Sequence, residues 1–119
     1  MIETKALQKD GFDLVYKNEN FKCAFISASN MYSYGEICEM KCHNKTDEIF
    51  VLISGKATML TIENDSFVET ELSMNNTYIV GKGTWHYLAV GNDAVVFVCE
   101  NADTCADNTD IKKVSYLLN

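Results

Sequence analysis

The chain contains neither proline nor arginine, and only two histidines. No Pro-, Gly- or Ser-rich stretch divides it and no repeat or low-complexity tract appears, so its 119 residues are read as one domain, with a core over about 21–100 and an extension at either end. All ten basic residues are lysines, which removes the guanidinium fork that reads guanine, grips a pyrophosphate or clamps a carboxylate. Seventeen acidic residues leave a formal net charge of −7, the wrong sign for a binder of phosphate backbones. Nucleic acid is therefore not an expected partner.

Long apolar runs are also missing. The longest, Ile49 to Ile53 and Ala94 to Cys99, fall far short of the ~20 residues that span a bilayer, and Met1 to Asp10 carries no apolar leader. A cytoplasmic protein with no membrane partner is expected. The five cysteines are an odd number with no C-x-x-C pair, so neither a complete disulfide framework nor a zinc ribbon is written here. They read as reduced thiols acting as small hydrophobes, with Cys38 and Cys42 the pair to watch because His43 follows them.

What is present is a β pattern. Short β-branched and aromatic runs alternate with turn residues, predicting strands over Phe21–Ser27, Tyr34–Cys42, Glu48–Ser54, Ala57–Glu63, Phe67–Leu72, Thr77–Val80, Trp85–Val90 and Ala94–Glu100. Turns at Ser54-Gly55-Lys56-Ala57, Glu63-Asn64-Asp65-Ser66, Met74-Asn75-Asn76 and Gly91-Asn92-Asp93 read as tight reversals joining antiparallel neighbours. Leu7 to Tyr16 is open between strand and helical turn. Ala102 to Asp110 reads as a polar loop before a strand-like Lys113 to Leu118. The runs at Ile49–Ile53 and Val95–Val98 are apolar on both faces, whereas an antiparallel sheet usually wets one. A second copy packed sheet against sheet is the expected cover, giving a homodimer.

One stretch carries chemistry. Gly35, five residues, Lys41, Cys42, His43, four residues, Glu48, six residues and Gly55 are followed by Gly81, Gly83 and His86. This resembles the cupin superfamily, whose first motif is G-x5-H-x-H-x3-4-E-x6-G and whose second is G-x5-P-x-G-x2-H-x3-N. Lys41 stands where the first motif has its first histidine. In the second motif Asn75 replaces the leading glycine, Gly81 the proline and Val90 the asparagine. The resemblance implies an all-β double-stranded β-helix, a cupin or jelly-roll barrel with a pocket inside. It also implies a metal-ligand set of His43, Glu48 and His86. With two histidines in all, one subunit cannot build the three-histidine site of cupin thiol dioxygenases. Two imidazoles and a carboxylate suit Fe(II), Mn(II), Ni(II) or Zn(II) with open positions.

Residues two apart on a strand share a face, so Lys41 and His43 point one way and Cys42 the other. Trp85 and Tyr87 face away from His86, where dimer packing is expected of them, while Tyr78, Phe50, Leu52 and Leu88 read as barrel lining. An ammonium about 5 Å from a divalent ion, at an effective dielectric near 20, costs roughly 6 to 7 kcal/mol. A Lys41–Glu48 ion pair in place of the ion is therefore a real alternative. Two functions follow. One is a metal-free barrel binding a small anionic metabolite through Lys41, His43, Glu48 and His86. The other is a divalent-metal enzyme, oxygenase- or isomerase-like, built on His43, Glu48 and His86.

Overall fold

Period-two alternation of buried and exposed side chains is clearest over Glu48–Ser54, where Phe50 and Leu52 are buried while Ile49 and Ile53 lie outside. The computed structural model describes all 119 residues and contains ten strands. In chain order they are β1 (Phe12–Lys17), β2 (Phe21–Ser27), β3 (Gly35–His43), β4 (Glu48–Ser54) and β5 (Ala57–Glu63), then β6 (Ser66–Glu71), β7 (Thr77–Val80), β8 (His86–Val90), β9 (Val95–Asn101) and β10 (Thr109–Leu118). The eight strands predicted over residues 21–100 are all present, four with the predicted bounds. The open segment at the start supplies β1, and the C-terminal strand begins at Thr109, four residues before Lys113.

Two five-stranded antiparallel sheets face each other, one ordered β1-β2-β9-β4-β7 and the other β10-β3-β8-β5-β6. This corrects three of the four expected reversals. Only Glu63-Asn64-Asp65-Ser66 joins hydrogen-bonded neighbours, β5 and β6, with Asn64 and Asp65 in the left-handed region that a two-residue hairpin turn requires. The turns at Gly55, Asn75 and Gly91 instead carry the chain from one sheet to the other. Two of these crossings lie side by side: the Gly91 N–H donates to the Lys56 carbonyl at 2.8 Å. Gly55, at φ +76°, sits so close that a Cβ there would lie 2.6 Å from Ala94 Cα.

Both sheets contribute inward side chains to the main core, among them Ala24, Ile26, Phe50, Leu52, Met59, Leu88, Val96 and Val98, with Tyr78 packed against it. All four barrel-lining residues read from alternation belong to this cluster or its margin. On the opposite face of the β8 sheet a smaller cluster of Ile37, Met40, Leu60, Ala89 and Leu118 is flanked by Tyr34, Trp85, Tyr87 and Tyr116. Trp85 and Tyr87 thus pack within their own chain, and the Lys112 ammonium lies 5.3 Å from the Trp85 ring centroid. The outer face of the β4 sheet leaves Ile49, Ile53 and Ile79 exposed.

Candidate metal centre in the barrel

Two consecutive strands, β3 and β4, meet the distant β8 at one end of the barrel. β3 ends on His43, β4 begins on Glu48, and β8 begins on His86, so each candidate residue occupies a strand terminus bordering the cavity. The turn between β3 and β4 is pinned from two sides. Asn44 N–H donates to the Asn108 carbonyl at 3.0 Å, and the hydroxyls of buried Thr46 and Thr104 lie 2.9 Å apart. The loop leading into β8 is tied back to the same turn: the Gly83 N–H donates to the His43 carbonyl at 2.8 Å, and the Lys82 N–H to Asp47 Oδ1 at 2.8 Å. These bonds place the only two histidines of the chain beside each other, ring centroids 5.1 Å apart.

Glu48 Oε1 lies 2.9 Å from His43 Nε2 and 3.0 Å from His86 Nε2. Which nitrogens carry protons follows from the far sides of the rings. His86 Nδ1 is 3.0 Å from the Thr84 carbonyl, which can only accept, so Nδ1 is the donor. His43 Nδ1 is 2.8 Å from Thr109 Oγ1, whose single hydroxyl proton is given to the Cys105 carbonyl at 2.6 Å, so here too Nδ1 donates. In the neutral rings both Nε2 atoms therefore present lone pairs, and they present them to a carboxylate oxygen. Oε1 is buried and accepts no hydrogen bond of good geometry. With both rings neutral, three electron-pair donors, all within 4.8 Å of one another, converge with no proton between them. Two donors at right angles, each ~2.1 Å from an ion, would stand ~3.0 Å apart, close to the observed carboxylate–imidazole spacings.

The charges around this centre are arranged in layers. Burial would push the Glu48 carboxyl up; in the metal-free site, where a proton on Nε2 of His43 or His86 faces it, that imidazole holds the carboxyl well below the usual carboxylate range. Opposite Glu48 across the β4–β9 pairing stands Glu100. Its pKa is pushed up to about 8, first by burial and then by Glu48, while Lys22, 3.9 Å away, pulls it down. Tyr32, on the cavity wall, is raised to about 12 by burial and then by the carboxylates of Glu48 and Glu100, so it keeps its hydroxyl proton.

Lys41 borders the same cavity and pairs in register with His86. It forms no ion pair with Glu48, whose partners are the two imidazoles. The alternative in which lysine replaces an ion at Glu48 is thus not the arrangement observed. Cys42 is buried, with its thiol 3.7 Å from Asn44 Oδ1, and is absent from the cavity wall. The cavity, about 630 Å³, is walled by Ile26, Phe50, Leu88 and Val98, with Met31 and Ile111 among the residues at its border.

Sequence reasoning missed Glu100, Lys22 and Thr109. Glu100 was detectable in principle: it continues the parity of Val96 and Val98, both buried inward, and so brings a carboxylate into an apolar row. Thr109 gave no local signal, because its contact with His43 spans 66 residues.

No family model matches the sequence, and no curated protein matches it significantly. Solved structures do match. An RmlC-like cupin protein from Desulfovibrio desulfuricans superposes with a TM-score of 0.57 at 19% identity, covering 86% of this chain and 98% of that one. A double-stranded β-helix protein from Klebsiella pneumoniae gives 0.60 at 17% identity over 96% and 86% of the two chains. Oxalate decarboxylase from Bacillus subtilis gives 0.57 at 17% identity over 77% of this chain, which spans only 24% of that enzyme. The shared fold is the double-stranded β-helix of the cupins.

Proposed function

We propose that this cupin-fold barrel binds one divalent metal ion through His43 Nε2, Glu48 Oε1 and His86 Nε2, and receives a small anionic ligand in the adjoining cavity. The observation that carries this reading is the proton inventory: both rings spend their N–H on the far side, leaving two lone pairs against a buried carboxylate oxygen that accepts no hydrogen bond. A cation at that point turns three mutually repelling donors into ligands. Two nitrogens and one oxygen are a donor set that suits Fe(II), Mn(II), Ni(II) or Zn(II).

When bound, such an ion supplies Lewis-acid polarisation of a coordinated ligand. The chain's own residues define what can approach. Lys41 provides positive charge at the cavity wall, and an anion seated there offsets the repulsion between ammonium and metal. Tyr32 retains its proton and can donate a hydrogen bond into the cavity. The walls of Ile26, Phe50, Leu88 and Val98 exclude water and favour a ligand with a short apolar portion beside its charged group.

A metal-free binder is the second reading, and the same geometry favours it under one condition: a proton on one Nε2 makes that imidazolium a partner for Glu48, only 2.9 or 3.0 Å away. Metal analysis of tag-free protein after loading with each of the four ions decides between the two. One ion per chain, lost in Glu48→Ala and in His86→Ala, is the expected result. Protein that stays empty after every loading would overturn the metal reading and leave the binder.

A further inference from the structure

Among the five free cysteines, Cys38 and Cys105 are exposed singly and Cys42 is buried. Cys23 and Cys99 differ. They stand directly opposite each other across the β2–β9 pairing, both half-buried, with their Sγ atoms 3.6 Å apart. Their side chains lie on the outer face of the β4 sheet, since Ala24 and Val98, their neighbours in the chain, belong to the inward core. The next outward pair along these strands, Phe25 and Phe97, packs edge to face at 5.5 Å, so the two strands are already held in tight lateral register here. Residues directly opposed in an antiparallel pair have Cα atoms roughly 4.5 to 5.5 Å apart, inside the range a disulfide spans. The sulfurs need to close by about 1.5 Å, within reach of side-chain torsions.

We propose that Cys23 and Cys99 form a reversible thiol–disulfide site whose oxidant is a low-molecular-weight disulfide. One of the two, as thiolate, attacks a sulfur of that disulfide; the S–S bond breaks and one small thiolate leaves, giving a mixed disulfide on the protein. The second protein thiolate then attacks the protein sulfur of the mixed disulfide and expels the other small thiolate. One S–S bond is lost and one gained. The two protein sulfurs are oxidised and the two reagent sulfurs reduced, and the protons released by the protein thiols end on the departing thiolates. Burial, and then Cys99 itself, push the Cys23 thiol up to about 11, so the exchange is slow near neutrality and accelerates in alkaline buffer. The bond forms one residue away from the Lys22–Glu100 pair, and so fastens together the two strands that carry the groups behind Glu48.

The test uses the full chain with Cys38→Ser and Cys105→Ser, so that Cys42 is the one other thiol. The protein is incubated with glutathione disulfide at pH 7 and at pH 9, at low and at high protein concentration. Alkylation, mass spectrometry and peptide mapping follow. The expected product is a monomeric chain lighter by about 2 Da, with Cys23 and Cys99 in one crosslinked species, formed faster at the higher pH and reversed by dithiothreitol. Its Tm should rise by about 10 °C, because the bond closes a long loop. In Cys99→Ser the same treatment should stop at a glutathione adduct on Cys23. Should the double variant retain three free thiols at both pH values and both concentrations, or accumulate stable adducts or crosslinked dimers instead, the proposal fails. If the double variant does not fold, peptide mapping of the unmodified chain after the same incubation distinguishes the same outcomes.

Discussion

Lys41 stands directly opposite His86 across the β3–β8 pairing, two residues before His43 on the same strand, yet the carboxylate of Glu48 is paired with the imidazoles and not with the lysine. The ammonium is therefore a neighbour of the donor set without being part of it. Its repulsion of a divalent ion is of order 6 kcal/mol at about 5 Å and an effective dielectric near 20. Replacing it by an imidazole removes that charge and adds a ligand. Lys41→His is expected to tighten Zn(II) or Mn(II) binding at least ~100-fold, read by competition with a chromophoric chelator. Affinity equal to that of the parent would show that residue 41 does not sense the ion.

Thr109 fixes the proton of His43 on Nδ1 by accepting it, while giving its own proton to the Cys105 carbonyl. Removing the hydroxyl frees the ring to turn and to change tautomer. Thr109→Val should weaken metal binding roughly 10- to 100-fold while lowering the stability of the chelator-treated protein by only about 1 kcal/mol. Thr109→Ser should restore most of the affinity. Equal affinity in all three proteins would separate Thr109 from the function of His43.

Glu100 makes the metal-free protein pH-sensitive in an unusual direction. Its folded-state pKa is raised to about 8 by burial and by Glu48, against roughly 4.3 in an unfolded chain. Between those values the folded state holds the extra proton, so the contribution of this group to stability is present below about pH 4 and is lost as pH rises to about 8. Glu48 acts oppositely: its depressed pKa adds stability above the usual carboxylate range, which is lost on acidification. Urea titrations in chelator should therefore show a fall between pH 5 and pH 8 that flattens in Glu100→Gln. Parallel curves for the two proteins would contradict the assignment.

Gly55 has no room for a side chain. At φ +76°, with Ala94 backbone atoms 2.6 and 2.8 Å from where a Cβ would sit, alanine meets both torsional strain and an overlap that no rotamer relieves. Gly55→Ala is expected to lower stability by about 3 kcal/mol in urea unfolding. Gly83→Ala, equally left-handed but with open space around it, should cost about 1 kcal/mol.

The strands were legible in the sequence because runs such as Ile49–Ile53 and Val95–Val98 are punctuated by turn residues, and both signals act over a few neighbours. The convergence of His43 and Glu48 was legible because one polar turn separates them. What stayed hidden was which sheet receives each strand. Ser54-Gly55-Lys56-Ala57 records that the chain reverses, but its partner is the Gly91 turn 36 residues on, and no local pattern encodes that meeting. The same limit hid Thr109 and the Lys22–Glu100 pair, which touch the site only through long-range strand pairing.

The side-by-side crossings have a consequence for biosynthesis. Because most successive strands belong to opposite sheets, β2 must wait for β9 and β3 for β10, and such distant pairings form late and slowly. An emerging polypeptide can offer an ion only the nearby His43 and Glu48; His86 arrives later, and Thr109 later still. On the proposed metal reading, selection among competing ions would fall to the finished barrel and not to the nascent chain.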